Sequence, residues 1–213
     1  NSTVEGNGTQ TNLVIGDNGP YTITAKAQDG TTTKPYYVTI HRKDNNNKLS
    51  GLVITADPAG TLDTPFDPDT TEYTYTVGPD TPAITVTGTP AGNAQVTGDG
   101  TFDPTTTDKI EVVVTPEDGT PQTYTINVVR NKSTNTDLLN LGIENYTISP
   151  SFDKDVILYT LTVENEITKV NVIAEKGDSR QEITGLGQKD LTVGDNPLQV
   201  VVSAEDPNTQ PKT

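Results

Sequence analysis

The sequence predicts an all-β fold of small two-sheet sandwiches, each of about seven antiparallel strands, joined end to end along the chain. Three observations predict it. Apolar and polar residues alternate in short runs, segment after segment. Turn-forming pairs punctuate those runs: Asp-Pro at 57–58, 67–68, 103–104 and 206–207, and Asp-Gly at 29–30, 99–100 and 118–119. The same residues also return after 88 positions, as Arg42 and Arg130 do. No window carries a sustained apolar stripe at helical spacing.

The strands follow in order. Tyr73, Tyr75 and Val77 point one way while Thr74 and Thr76 point the other, as a half-buried sheet requires. Ile84 and Val86 alternate with Thr85 and Thr87. Ile110, Val112 and Val114 form one inner row, and Tyr124, Ile126 and Val128 form another. The last third of the chain repeats the scheme with Tyr159, Leu161 and Val163, then Val170 and Val172, then Leu198, Val200 and Val202. The rows are rich in Val, Ile, Leu and Tyr, and Thr is the prominent polar partner, which suits a pleated surface with one face covered.

Aligned by these rows, the chain holds one complete copy of the unit and two partial ones. Asp29-Gly30, Tyr36 and Arg42 answer to Asp118-Gly119, Tyr124 and Arg130. Leu49 and Leu52 answer to Leu138 and Leu141, and Pro65-Phe66-Asp67 to Ser151-Phe152-Asp153, with Tyr73 and Tyr159 seven positions beyond each Phe. Val4-Glu-Gly-Asn-Gly8, Val96-Thr-Gly-Asp-Gly100 and Ile183-Thr-Gly-Leu-Gly187 are the same element three times. The expected organisation is residues 1–43 as the C-terminal half of a first sandwich, 44–131 as a complete second, and 132–213 as a third lacking its last strand. A period near ninety residues suits an autonomous small domain and is too long for a solenoid turn. The partial copies are expected to continue in a longer array, an expectation that the intact mass of the source protein checks. Strand addition from neighbouring chains is the alternative.

The order Leu-x-x-Leu, Phe-Asp-Pro, Tyr-Thr-x-x-Val, x-Gly-x-Gly, Glu-Asp-Gly and Tyr-Thr-Ile-x-Val-x-Arg resembles the cadherin-like β-sandwich domain of bacterial surface proteins, which is immunoglobulin-like in fold. The resemblance runs almost from end to end. It implies a secreted or cell-surface location and a spacer, adhesion or enzyme-companion role. The calcium-binding junction sequences of true cadherins have no counterpart at Arg42–Leu49 or Arg130–Leu138, where the chain reads Lys43-Asp-Asn-Asn-Asn-Lys48 and Asn131-Lys-Ser-Thr-Asn-Thr136.

Composition narrows the remaining functions. Hydrophobic residues make up 31% of the 213, too few for one large core and enough for several thin ones. With 29 acidic against 14 basic residues the net charge is −15, which repels nucleic acid and anionic lipid. No apolar run is long enough to span a bilayer. There is no Cys, so disulfides and thiolate metal sites are excluded.

No residue stands out as catalytic. The single histidine, His41, sits beside Arg42 at a strand end with no Cys or Ser motif to activate. No cofactor is expected, and calcium enters only as a minor reading of Asp67-Pro-Asp-Thr-Thr-Glu72, where Asp67 otherwise caps the turn before Tyr73. In the matching stretch Asp153 and Asp155 are retained, but Leu158 replaces Glu72. The expected partners are neighbouring repeats of the same protein, with polysaccharide or other surface proteins as a second class. A sugar platform would have to rest on Tyr37 or Tyr75, since Trp is absent. Sequons begin at Asn1, Asn7, Asn131 and Asn145, about as many as chance supplies in an Asn- and Thr-rich chain. An internal Lys–Asn crosslink would need a buried Lys beside an Asn and a carboxylate.

The favoured expectation is a non-catalytic stalk or fibre segment. An adhesion or carbohydrate-binding module attached to a secreted enzyme is one alternative, and a subunit of an extracellular filament assembled by lateral packing or strand addition is the other.

Overall fold

The computed structural model describes every residue, Asn1–Thr213, and contains sixteen strands and no helix. The chain divides into two compact units: residues 1–77 with 81–129, and residues 78–80 with 130–213.

In the first unit the strands are β1 (Thr3–Glu5), β2 (Gly16–Lys26), β3 (Thr33–Arg42), β4 (Leu49–Ala56), β5 (Thr61–Leu62) and β6 (Glu72–Val77). They continue as β7 (Ile84–Pro90), β8 (Gln95–Thr97), β9 (Gly100–Phe102), β10 (Lys109–Thr115) and β11 (Gln122–Arg130). Strands β4–β11 form a β-sandwich. One sheet has the order β4-β7-β9 and the other β5-β6-β11-β10-β8. Both turn their apolar rows inward, and Tyr73, Ile84, Val86, Ile110, Val112, Val114, Tyr124 and Ile126 are all at most 2% exposed. The alternation thus does in space what it did in the sequence.

Tyrosine hydroxyls bolt the ends of this core. The Tyr124 hydroxyl accepts the Leu49 N–H at 3.1 Å and donates to the Pro68 carbonyl at 2.8 Å. The Tyr73 hydroxyl accepts the Asp67 N–H at 3.0 Å and donates back to the Asp67 carbonyl at 2.8 Å. Phe66 packs against both rings, with centroids 6.2 Å and 6.3 Å away. A buried tyrosine is stable only where its polar tip finds partners, and each of these does. Thr81 is the exception: its hydroxyl is buried without a hydrogen-bond partner. Thr81→Val, which keeps the shape and drops the orphan, is expected to raise stability by about 1 kcal/mol in urea denaturation.

Strands β1, β2 and β3 form a separate antiparallel sheet in the order β1-β2-β3. Tyr36 lies opposite Ile23 and Val38 opposite Tyr21, just as Tyr124 lies opposite Val112 and Ile126 opposite Ile110. The hairpin therefore matches β10–β11, yet no second sheet covers it. Tyr36 is 50% exposed where Tyr124 is 0%. Adjacent strand residues face opposite ways, so one of Tyr36 and Tyr37 should face solvent and the other a core, yet both are exposed. Alternation sets which face a residue points to, but only a facing sheet buries it.

The second unit carries β12 (Leu138–Ile143), β13 (Lys169–Lys176), β14 (Glu182–Thr184), β15 (Gly187–Asp190) and β16 (Val201–Ser203), paired as β12-β13-β15 and β14-β16. Val170, Val172 and Val202 are buried. The strand expected over Tyr159–Val163 is reduced to a bridge between Ser149 and Thr160, and the one expected over Leu198–Val202 shrinks to β16. The cause is a missing neighbour. In the first unit β6 and β10 both hydrogen-bond to β11, whereas here only Lys212 pairs with Val202 at that place. Backbone without a ladder partner stays hydrated and irregular.

The thrice-repeated Gly-x-Gly element has a steric origin. Gly98 follows β8 at φ +82°, and a Cβ there would lie 2.0 Å from the Glu111 carbonyl oxygen. Gly6 and Gly185 have φ +81° and +87°, and would place a Cβ 2.3 Å and 2.0 Å from the carbonyls of Thr22 and Gln199. One close backbone crossing is thus built three times, and only glycine fits it.

Candidate functional site: the stapled linkers

The most elaborate polar structure in the chain lies at the two six- to seven-residue linkers that the sequence marks as junctions. In the first, the Asp44 N–H donates to Glu117 Oε2 at 2.8 Å, and the Asp118 N–H donates to the Asp44 carbonyl at 3.0 Å. The Asp44 carboxylate, in a residue only 4% exposed, then accepts the N–H groups of Asn46 at 2.9 Å and Asn93 at 3.0 Å. Asn46 Oδ1 accepts the Lys48 N–H at 3.0 Å, and β4 begins at Leu49. Backbone N–H donors, Asn46 first, hold the Asp44 carboxyl below its ordinary pKa.

The second linker repeats this frame. The Ser133 N–H donates to Glu205 Oε2 at 3.0 Å, and the Asp206 N–H donates to the Ser133 carbonyl at 2.9 Å. Ser133 Oγ accepts the Asn135 N–H at 3.3 Å, and Asn135 Oδ1 accepts the Asp137 N–H at 2.8 Å before β12 begins at Leu138. Gln181, 2% exposed, donates to the Asn135 and Asp137 carbonyls at 2.9 Å each. Short Asx and Ser turns of this kind fix a backbone that would otherwise be a flexible polar linker.

The two frames carry different charges. In the first, the His41 ring bridges Asp17, 2.7 Å from Nδ1, and Glu117, 3.1 Å from Nε2. In the second, the Arg130 guanidinium makes a two-pronged ion pair with Glu205, and both side chains are less than a fifth exposed. Arg180 binds Asp178 at 2.8 Å, with further bonds to Asp80 and the Pro79 carbonyl. Arg130 holds the Glu205 carboxyl below its ordinary pKa, and Arg180 holds that of Asp178 far below it.

A pH dependence follows with opposite signs. The hydrogen bonds to Asp17 and then Glu117 raise the His41 pKa above its ordinary 6.5. Its contribution is therefore fully present below 6.5 and lost as pH rises through the folded-state value. The Glu205 and Asp178 contributions are present above the ordinary carboxylate range and lost as pH falls through their depressed values. Imidazole NMR titration is expected to show a raised His41 midpoint, which Asp17→Asn and Glu117→Gln each lower.

The other residues singled out in the sequence are dispersed. Asp67 accepts the Asp69 N–H, Asp69 pairs with Lys48, and Glu72 accepts from Asn127, so the three side chains turn to separate partners. No group of three or more His, Asp or Glu side chains converges as a metal site would require. Tyr75 is buried, with its hydroxyl accepting the Gly60 N–H at 3.1 Å, while Tyr37 is 68% exposed. No lysine is buried as a Lys–Asn crosslink would demand. Sequence reasoning passed over Glu117 and Glu205, although their common spacing of 88 was the available signal.

A facing pair of antiparallel sheets with Tyr-bolted ends defines an immunoglobulin-like β-sandwich, with no helix long and apolar enough to cross a membrane. Residues 49–131 match the family of the cadherin-like beta sandwich domain, consistent with the sandwich that β4–β11 form. That family is generally non-enzymatic and typically extracellular, and the match points to a structural or adhesion-type module. No curated protein and no solved structure is significantly similar to the chain.

Proposed function

We propose that the chain is a spacer: a run of non-catalytic β-sandwich repeats, divided at 43/44 and 131/132, that serves as a stalk or fibre segment of an extracellular surface protein and presents other modules. The observation that supports this best is the duplicated staple. Each linker is fixed to the sandwich that follows it through one glutamate, Glu117 or Glu205, and through a ladder of Asx or Ser turns. A catalytic or ligand-binding module has no need to repeat a linker frame. A spacer does, because hinge freedom is what it must suppress. The surface charge of −15 keeps such a chain soluble and discourages lateral association.

The spacer holds no cofactor, and its partners are neighbouring repeats. Two measurements test it. Small-angle scattering of the full chain is expected to give a narrow distance distribution, which broadens when Glu117→Gln is combined with Glu205→Gln. A polysaccharide screen is expected to give no binding tighter than about 1 mM. Micromolar binding to any glycan would reassign the chain to the adhesion class, and an unchanged distribution in the double variant would remove the staple from the explanation.

A further inference from the structure

The chain holds two Asn-Gly pairs, Asn7-Gly8 and Asn18-Gly19. Such a pair is chemically reactive for a steric reason. Glycine has no Cβ to keep its backbone nitrogen away from the side-chain amide carbon of the asparagine before it. The fold treats the two pairs in opposite ways.

Asn18 is locked. The residue is 8% exposed, and its amide is engaged at both ends. Oδ1 accepts the Val14 N–H at 2.8 Å, while Nδ2 donates to the carbonyls of Val14 and Gly16 at 2.8 Å each and of Ile40 at 3.3 Å. Swinging Cγ towards the Gly19 nitrogen breaks these bonds together, and with them the turn that opens β2.

Asn7 is free. It lies exposed between Gly6 and Gly8 just beyond β1, and no hydrogen bond holds its side chain or the Gly8 N–H. Nothing stands within 4 Å of where a Cβ on Gly8 would be, so the space over the pair is open. In the complete sandwich Asp99 holds the matching place in the Gly-x-Gly element. It is exposed too, and the Gly100 that follows it also has nothing within 4 Å of an added Cβ. The exposure of Asn7 therefore belongs to the turn, and it is found where both sheets are present.

We propose that Asn7 is a site of spontaneous deamidation and that the fold protects Asn18 from the same reaction. The Gly8 backbone nitrogen gives its proton to solvent base and attacks Asn7 Cγ. The new N–Cγ bond closes a five-membered succinimide, the Cγ–Nδ2 bond breaks, and Nδ2 takes up a proton and leaves as ammonia. Water then opens the ring. Cleavage of the new N–Cγ bond leaves an aspartate, and cleavage at the backbone carbonyl leaves an isoaspartate. Either way one water is consumed, one ammonia is released and one negative charge is added. The isoaspartate lengthens the main chain by one carbon directly beside Gly6, whose place is set by the close crossing on the Thr22 carbonyl. In the third copy Leu186 stands at this position, where no such ring can form. The inference stands apart from the spacer reading, because it needs only the turn and water.

Incubation of the folded full chain in mildly alkaline buffer tests it, with tandem mass spectrometry to place the change and an isoaspartate assay to identify the product. A gain of about 1 Da is expected on Asn7, as a mixture of aspartate and isoaspartate, with a rate that rises with pH. Asn18 should react at least about tenfold more slowly, since it must first open locally. In urea that unfolds the chain the two rates should converge. Gly8→Val, which the open space around Gly8 accommodates, should slow the reaction at Asn7 at least about tenfold by shielding the attacking nitrogen. Equal rates at the two asparagines in the folded chain, or an Asn7 that does not react, overturn the proposal. Rates that stay apart in urea also overturn it, because they assign the difference to neighbouring sequence and not to the fold. An Asn7 rate indifferent to Gly8→Val overturns the ring closure.

Discussion

Tyr124→Ala is expected to cost about 3–5 kcal/mol, enough to consume most or all of the stability of a sandwich this size. Tyr124 is fully buried, and its ring spans the gap between the sheets beside Phe66. Its truncation leaves a ring-sized hole in a core of β-branched side chains that cannot collapse into it without moving both sheets. It also removes the acceptor of the Leu49 N–H at the point where the linker becomes β4. Tyr124→Phe separates the two contributions. The ring remains, the Leu49 N–H and the Pro68 carbonyl lose their partner, and the cost should be about 1–3 kcal/mol. Urea denaturation followed by far-UV circular dichroism measures both. Equal costs for the two variants would show that the hydroxyl, and not the packing, dominates.

Gly98→Ala is expected to cost about 3 kcal/mol or more, although it adds a single carbon to a residue at the margin of the core. The added Cβ would sit 2.0 Å from the Glu111 carbonyl oxygen, and neither group lies at the end of a flexible side chain that could swing aside. The crossing must open, and with it the pairing of β8 with β10 at Thr97 and Val113. Gly119→Ala is the control. Gly119 also has a positive φ, +100°, but no atom lies within 4 Å of its added Cβ, so only the backbone preference is lost and about 1 kcal/mol is expected. Comparable costs at the two positions would refute the steric account of the repeated glycine.

The two cases differ in how far the sequence revealed them. Tyr124 was legible as an inner-row residue, because alternation with Thr123 and Thr125 assigns its face. The partners of its hydroxyl were not, since Leu49 and Pro68 lie 75 and 56 positions away and nothing local points to them. Gly98 was legible as part of a threefold motif, but its reason, a carbonyl on β10, belongs to a different strand. The staple shows the same division. Asp44, Asn46, Ser133 and Asn135 read as ordinary polar linker residues until the loop carrying Glu117 or Glu205 folds over them.

The sequence by itself determined the all-β class, the inner face of each row in the complete sandwich, the turns, and the spacing at which the pattern returns. These follow from the two-residue period of a strand and from residues whose backbone preferences are local. Tertiary structure alone decided which rows were buried. Tyr36 and Tyr124 occupy matching places in matching sequence, yet one is half exposed and the other sealed, because burial belongs to the opposing sheet and not to the residue. It likewise decided which carboxylates hold the linkers, since hydrogen bonds that close across more than seventy positions leave no local trace in a chain.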